Sequence, residues 1–210
     1  MSEELTEEDA RALQECVSSG GVAVFPTDTV YGLCCDPEDE RAAARLYELK
    51  GRPTRRSCAI MFFSLDHALD ALGELPEAEL LALRVLLPGP LTLLLANREE
   101  RFGAACRKDS STLGLRVPRL PAHLTALAAI DCAIMQSSAN LSGEPDARSL
   151  EEIPQQLLDG ADLVLDGGEL PGAPSTVIDL RDFDSERRWH VLREGALPRE
   201  SVQQMLAPLR

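Results

Sequence analysis

The chain has 210 residues, 44% of them hydrophobic, with 35 acidic against 21 basic side chains and a formal charge of −14. That length and apolar content suit one sizeable core. The negative field excludes nucleic-acid binding through overall charge and leaves any phosphate ligand to a local basic cluster. No apolar run reaches membrane-spanning length and the first residues are acidic rather than signal-like, so a cytoplasmic protein with no membrane partner is expected.

In chain order, Thr6 with Asp9 has the pattern of a capping box ahead of Ala10, Leu13 and Val17 at helical spacing, and Gly20-Gly21 ends that helix. The apolar run 21–25 is a strand interrupted by Pro26-Thr27-Asp28-Thr29, and a second run follows over 33–35. Proline donates no ladder bond and the next three residues are turn formers, so this stretch on its own is a polar turn between strands. Residues 39–50 form a second amphipathic helix stopped by Gly51-Arg52-Pro53, which places Lys50 and Arg52 at a helix C-terminus. A buried strand is expected over 58–63, helices over 65–72 and 76–87, a break at Pro88-Gly89-Pro90, and a strand over 91–96. Residues 97–111 are polar and aperiodic, a surface excursion. Strands at 113–117 and 132–135 flank a helix at 122–129. Ser149 and Glu152 cap a further helix, strands follow at 163–165, 176–180 and 189–193, and a helix at 201–206 closes the chain. Helices and strands intermingle without strict alternation. The expected architecture is a single α/β domain over 1–210, with a twisted mixed parallel/antiparallel sheet and flanking helices.

The six cysteines show no C-x-x-C pair and the three histidines no metal-ligand spacing, so no zinc site is expected. Phosphate-loop, dinucleotide-binding and nucleophile-elbow signatures are absent. Four stretches instead follow apolar strands with small hydroxyl residues or an arginine: 27–29, 116–118, 137–142 and 174–176. If those strand ends share one side of the sheet, their polar groups converge in a crevice. Such a site is rich in donors and poor in general bases. It suits a reaction whose nucleophile arrives anionic and which is catalysed by positioning and charge neutralisation. Only Lys50 and Lys108 are lysines among the 21 cations.

A set of motifs in order then resembles the YrdC family: Pro26-Thr27-Asp28-Thr29-Val30-Tyr31-Gly32-Leu33, Lys50-Gly51-Arg52-Pro53, Pro88-Gly89-Pro90-Leu91-Thr92, Arg116-Val117-Pro118, Ser137-Ser138-Ala139-Asn140-Leu141-Ser142-Gly143, Ser175-Thr176-Val177-Ile178-Asp179 and Arg193-Glu194-Gly195-Ala196. The resemblance is to the short, single-domain form without the additional C-terminal domain of longer relatives. It implies an L-threonylcarbamoyladenylate synthase, a nucleotidyltransferase that uses L-threonine, bicarbonate and ATP with Mg²⁺. Its product serves tRNA threonylcarbamoyl-transfer enzymes. By motif, Lys50 and Arg52 are the implied triphosphate clamp and catalytic pair. Ser138, Asn140, Arg193 and Thr112 are implied ATP contacts. Thr29, Arg116 and Ser175 are the implied threonine pocket, with Tyr31 as a wall. Asp28 is expected to point away from the phosphates, fixing its loop or a metal-bound water.

Taken singly, each residue has a plainer explanation. Lys50 and Arg52 complement a helix C-terminus, Ser138 and Asn140 form turns, and Arg116 ends a strand. Three departures from the family pattern stand out. Met61 replaces a histidine, Gln136 a hydroxyl residue and Asp146 a serine, which leaves room for altered affinity or for a paralogous nucleotide-binding protein. The family fold's concave face, associated with double-stranded RNA, makes an RNA-binding module and direct tRNA binding the rival reading, against which the charge of −14 weighs.

Overall fold

The first helix starts as its sequence pattern requires. Asp9 N donates to Thr6 Oγ1 (3.3 Å) and Thr6 N to Asp9 Oδ2 (2.8 Å), opening α1 (Glu7–Ser18), whose Ala10, Leu13 and Val17 are buried. The computed structural model describes residues 4–51, 57–106 and 109–209. Within them follow β1 (Ala23–Phe25), β2 (Gly32–Cys35), α2 (Glu40–Leu49), β3 (Ala59–Met61), α3 (Leu65–Leu72), α4 (Glu77–Leu86), β4 (Leu91–Ala96), α5 (Gly103–Cys106) and β5 (Thr112–Arg116). The chain continues with β6 (Ile134–Ser138), α6 (Gln155–Gly160), β7 (Leu163–Val164), β8 (Thr176–Asp179), α7 (Phe183–Glu186), β9 (His190–Arg193) and α8 (Arg199–Leu206).

The described strands form one sheet in the order β7-β1-β2-β6-β3-β5-β4-β8-β9. Pairs β1/β7, β3/β5 and β4/β8 are parallel, and β1/β2, β2/β6, β3/β6, β4/β5 and β8/β9 antiparallel. This is the mixed sheet expected of strands that follow one another without a crossover helix.

Two expected helices differ. Residues Ala122–Ala129 form a 3-10 helix: the buried residues are Leu124 and Leu127, three apart, which is the repeat of that tighter helix. After Ser149 only a 3-10 turn, Leu150–Glu152, forms, because Pro154 has no N–H to continue a helix and instead opens α6. The excursion at 97–111 contains α5, anchored where Cys58 N donates to Ala105 O (3.0 Å).

The feature that matters for function is the unequal cover of the sheet's two faces. Along β4, Leu91, Leu93 and Leu95 are buried while Thr92, Leu94 and Ala96 are half-open; β8 alternates in the same way. Period-two alternation therefore leaves one face of this part of the sheet accessible.

On the covered side, α4 carries Glu79, whose side chain is 3% exposed and whose Oε2 accepts from Arg98 Nη1 (2.9 Å). Its Oε1 has no partner among the described residues. Burial raises this carboxyl above the usual range against the pull of Arg98. A raised folded pKa contributes stability that is present below the ordinary carboxylate pKa and is lost as pH rises through the folded value. In urea unfolding, the wild type should therefore lose stability relative to Glu79→Gln as pH is raised from acidic to neutral; a gap constant with pH would contradict this.

Candidate active site

A cavity of about 360 Å³ opens on the accessible sheet face. Its floor follows from register. Gln136 on β6 lies opposite Ala59 on β3, and Ala59 opposite Gly114 on β5. In the next row Met61 lies opposite Arg116, and Thr92, Val177 and Arg193 pair across β4, β8 and β9. Residues from three of the four stretches singled out in the sequence, 116–118, 137–142 and 174–176, meet in this cavity.

One wall is the interruption between β1 and β2. Thr27 Oγ1 donates to Val30 O (2.7 Å) and accepts from Thr29 N (3.2 Å), so the Pro-Thr-Asp-Thr turn is knitted by its own hydroxyl. Arg116, at the end of β5, donates from Nη2 to Asp28 Oδ1 (2.8 Å) and to Thr29 Oγ1 (3.1 Å). Asp28 Oδ2 also accepts from Arg119 N (3.0 Å), so this carboxylate fixes the loop. Both side chains of the Arg116–Asp28 pair are 4% exposed. Burial pushes the guanidinium down and the carboxyl up; each partner opposes the other's shift, and Arg193 adds to the pressure on Arg116. Arg116 Nε has no partner among the described residues. Arg116 itself lines the cavity, so its positive charge is available there to an anionic ligand.

A second wall is a node around Lys50, the residue that caps α2. Its Nζ donates to Ser138 O, to Asn140 O (2.7 Å) and to Asn140 Oδ1 (3.2 Å). Asn140 Oδ1 also accepts from Ser138 Oγ (2.6 Å), and Asn140 Nδ2 donates to Glu144 O (2.5 Å). The ammonium therefore reaches across to the loop after β6 and ties it to the end of α2. Asp146 and Glu144 stand on the cavity wall beyond this node.

The third wall is the strap before β8. Ser175 Oγ lies 2.8 Å from Thr92 Oγ1, and Arg193 Nη2 donates to Ser175 O (2.8 Å) and Oγ (3.3 Å). Gly195 makes the close approach possible, since a Cβ there would lie 2.1 Å from Pro174 O.

With this geometry in hand, comparison with known proteins is informative. The Sua5/YciO/YrdC family model, described as "telomere recombination", matches residues 15–195. This chain belongs to the Sua5/YciO/YrdC family. A threonylcarbamoyl-AMP synthase of Pyrococcus abyssi (strain GE5 / Orsay) is 36% identical over 92% of this chain and 56% of its own length. One of Xanthomonas campestris pv. campestris (strain B100) is 34% identical over 82% of this chain and 94% of its own. The crystal structure of P. abyssi Sua5 complexed with L-threonine superposes with a TM-score of 0.84 at 31% identity, covering 97% of this chain and 59% of that one. The chain spans less than two thirds of the P. abyssi protein.

The family's motif residues distribute unevenly around the cavity. Lys50, Ser138, Asn140, Arg116, Ser175 and Arg193 line it. Thr29 is fully buried just behind, in contact through Arg116. Arg52 lies outside the described residues, as do Thr54, Arg55 and Arg56. Tyr31, expected as a pocket wall, is absent from the lining and fully buried. Its hydroxyl donates to Gly168 O (2.9 Å) and Asp166 Oδ1 (3.1 Å) and accepts from Gly167 N (2.9 Å), with burial holding the phenol's pKa well above its ordinary value. It anchors the loop after β7 to the cavity wall. Thr112 is also absent from the lining; it sits at the far end of β5 from Arg116 and its Oγ1 accepts from Arg181 Nη1 (3.1 Å). Met61 shares a row with Arg116 yet is fully buried outside the lining. Among the cavity residues with no role assigned from sequence are Thr92, Glu144 and Gln136. Gln136 carried a signal, as a carboxamide inside the strand Ile134–Ser138.

Gly195→Ala should push the Pro174–Ser175 strap away from β9, costing about 1–3 kcal/mol as overpacking does and loosening Ser175 and Arg193. Urea unfolding measures the first effect and ligand titration the second; an unchanged unfolding midpoint would show that the strap yields freely.

Proposed function

We propose that this chain makes L-threonylcarbamoyladenylate and pyrophosphate from L-threonine, bicarbonate and ATP, and so acts as an adenylyl-transferring enzyme. The observation that carries this reading is the donor arrangement of the cavity. Arg116 and the Lys50–Ser138–Asn140 node both line it, and among the described residues no histidine does. The names of the P. abyssi and Xanthomonas relatives, and the threonine held in the P. abyssi structure, support it.

In this proposal Arg116 takes the carboxylate of threonine, with Thr29 and Ser175 completing that end. Lys50, Ser138, Asn140 and Arg193 face the nucleotide, and Arg52, outside the described residues, joins them by motif. Thr112 stands on β5 beyond the cavity, where only an extended nucleotide would reach it. The threonine amine attacks bicarbonate carbon, forming an N–C bond and releasing water. A carbamate oxygen then attacks the α-phosphorus of ATP, forming an O–P bond as the bond to the β-phosphate breaks and pyrophosphate leaves with the electron pair. The nucleophile is already anionic, so the protein positions and neutralises and needs no strong side-chain base.

Among the described residues no group of three or more His, Cys, Asp or Glu could hold a metal by itself. Mg²⁺ is commonly held by one or two carboxylates together with substrate phosphates, and the Asp146 and Glu144 side of the cavity fits that pattern. Mg²⁺ therefore belongs to the proposal as an ion that arrives with ATP and offsets its charge. Among the described residues no helix is long and apolar enough to cross a membrane. A cytoplasmic site of action, and hand-over of the threonylcarbamoyl group to tRNA by partner transfer enzymes, complete the proposal.

Purified protein with ATP, Mg²⁺, bicarbonate and threonine should release pyrophosphate, with serine a poor substitute and EDTA abolishing the reaction. Absence of threonine-dependent pyrophosphate would overturn the reading. Lys50→Ala should lower turnover by roughly 10²–10³ if its charge acts on the transition state, and an unchanged rate would return Lys50 to a helix-end role.

A further inference from the structure

One side chain on the cavity floor has no part in the roles above. Gln136 is 6% exposed and lines the cavity, yet its carboxamide has no hydrogen-bond partner among the described residues. Buried polar groups are normally paired, and leaving one unmade is expensive. The fully enclosed orphan atoms of the protein lie elsewhere, so this carboxamide opens into the cavity and is available to what enters it.

Its place is set by register. Gln136 is flanked by Cys34 on β2 and Ala59 on β3, and Ala59 by Gly114 on β5. The alanine beside the carboxamide keeps the cavity floor low there. Ser138, part of the Lys50 node, stands two residues further along β6, about 7 Å by strand rise. In the other direction the next row carries Met61 and Arg116. The carboxamide therefore stands between the two ends of the cavity, the amino-acid end at Arg116 and the node at Lys50.

We infer that the Gln136 carboxamide binds the carbamate formed from threonine and bicarbonate, an inference that rests on the synthase reading. The match is chemical. A carbamate of an amino acid presents an N–H beside an anionic oxygen, and a carboxamide presents a C=O acceptor beside an NH₂ donor. The two groups meet edge to edge through two hydrogen bonds, N–H to Oε1 and Nε2–H to oxygen. Such a pairing holds the group planar and turns its second oxygen toward the node. A neutral carboxamide orients the nucleophile without neutralising it, whereas a cation at this point would quench its attack on phosphorus. No bond to Gln136 is made or broken.

The test compares wild type with Gln136→Met, which is near in shape but has neither donor nor acceptor, and with Gln136→Glu, which keeps the size and loses the donor. Protein with threonine and ¹³C-bicarbonate, without ATP, is followed by ¹³C NMR for bound carbamate, and bicarbonate KM is measured by pyrophosphate release. Threonine and ATP affinities are measured separately by calorimetry. Both variants should lose bound carbamate and raise the bicarbonate KM by roughly 10-fold or more, the effect of one or two hydrogen bonds to a charged group, while Gln136→Met, which adds no charge, keeps threonine and ATP affinities within about twofold. Because the Gln136 carboxamide makes no hydrogen bond among the described residues, Gln136→Met should keep the wild-type melting temperature. Unchanged carbamate and bicarbonate behaviour would overturn the inference. So would a loss of ATP affinity at unchanged bicarbonate KM, which would show the carboxamide reading the adenine edge. Failure of wild type to release threonine-dependent pyrophosphate is a different result, which removes the synthase reading and this inference together.

Discussion

A charged guanidinium is buried beside the cavity and held from one side only. Arg116 is gripped by Asp28 and Thr29 through Nη2, while its Nε has no partner among the described residues. Burying an ion pair removes both charges from water, and the attraction between them offsets that only when geometry and further hydrogen bonds are good. Here the further bonds come from Arg119 N to Asp28 and from the Thr29 hydroxyl, itself 3.0 Å from Thr27 Oγ1. The Pro-Thr-Asp-Thr turn is therefore shaped around the arginine, and the end of β5 is tied to the loop between β1 and β2. Thr29 O in turn accepts from Gly172 N, and Tyr31 N donates to Ala147 O, so the turn also organises the segments that lead to β8 and α6.

The second anchor works by the same physics with different chemistry. Lys50 is 3% exposed and its ammonium sits among carbonyl and carboxamide oxygens of the loop after β6. These oxygens satisfy the buried charge and, in return, the charge fixes the loop's course past Ser138 and Asn140. A chain with a formal charge of −14 thus concentrates Lys50, Arg116 and Arg193 around one cavity. Local charge density, not net charge, decides whether a polyanion is accepted. The floor between the anchors is made of small residues and one unpaired carboxamide, so the site has room over the sheet and few groups that compete with a ligand.

Much of this was legible in the sequence, and the reasons are particular. The capping box at Thr6 and Asp9, the Gly and Pro punctuation, and the apolar runs depend on interactions within a few residues, which a linear reading captures. Where neighbours in space decide, it did not. The 3-10 geometry of Ala122–Ala129 follows from burial of Leu124 and Leu127. Tyr31 was placed beside the pocket by its neighbours in the motif, but in a strand-entry segment alternate side chains point apart, and its phenol is held by the distant Asp166 and Gly168.

What the sequence by itself determined is the element types, the mixed α/β class and the residue kinds of a donor-rich, base-poor site. These follow from local periodicity, turn chemistry and the order of motifs along the chain. What only the tertiary structure decided is where that site lies and which donors remain available. Strand order and register, set by pairings as distant in sequence as Ala23 with Leu163, put Gln136 and Ala59 side by side on the cavity floor. They also leave the Gln136 carboxamide there without a partner among the described residues. A residue's unused hydrogen-bonding capacity is a property of everything packed around it, and no local pattern records it.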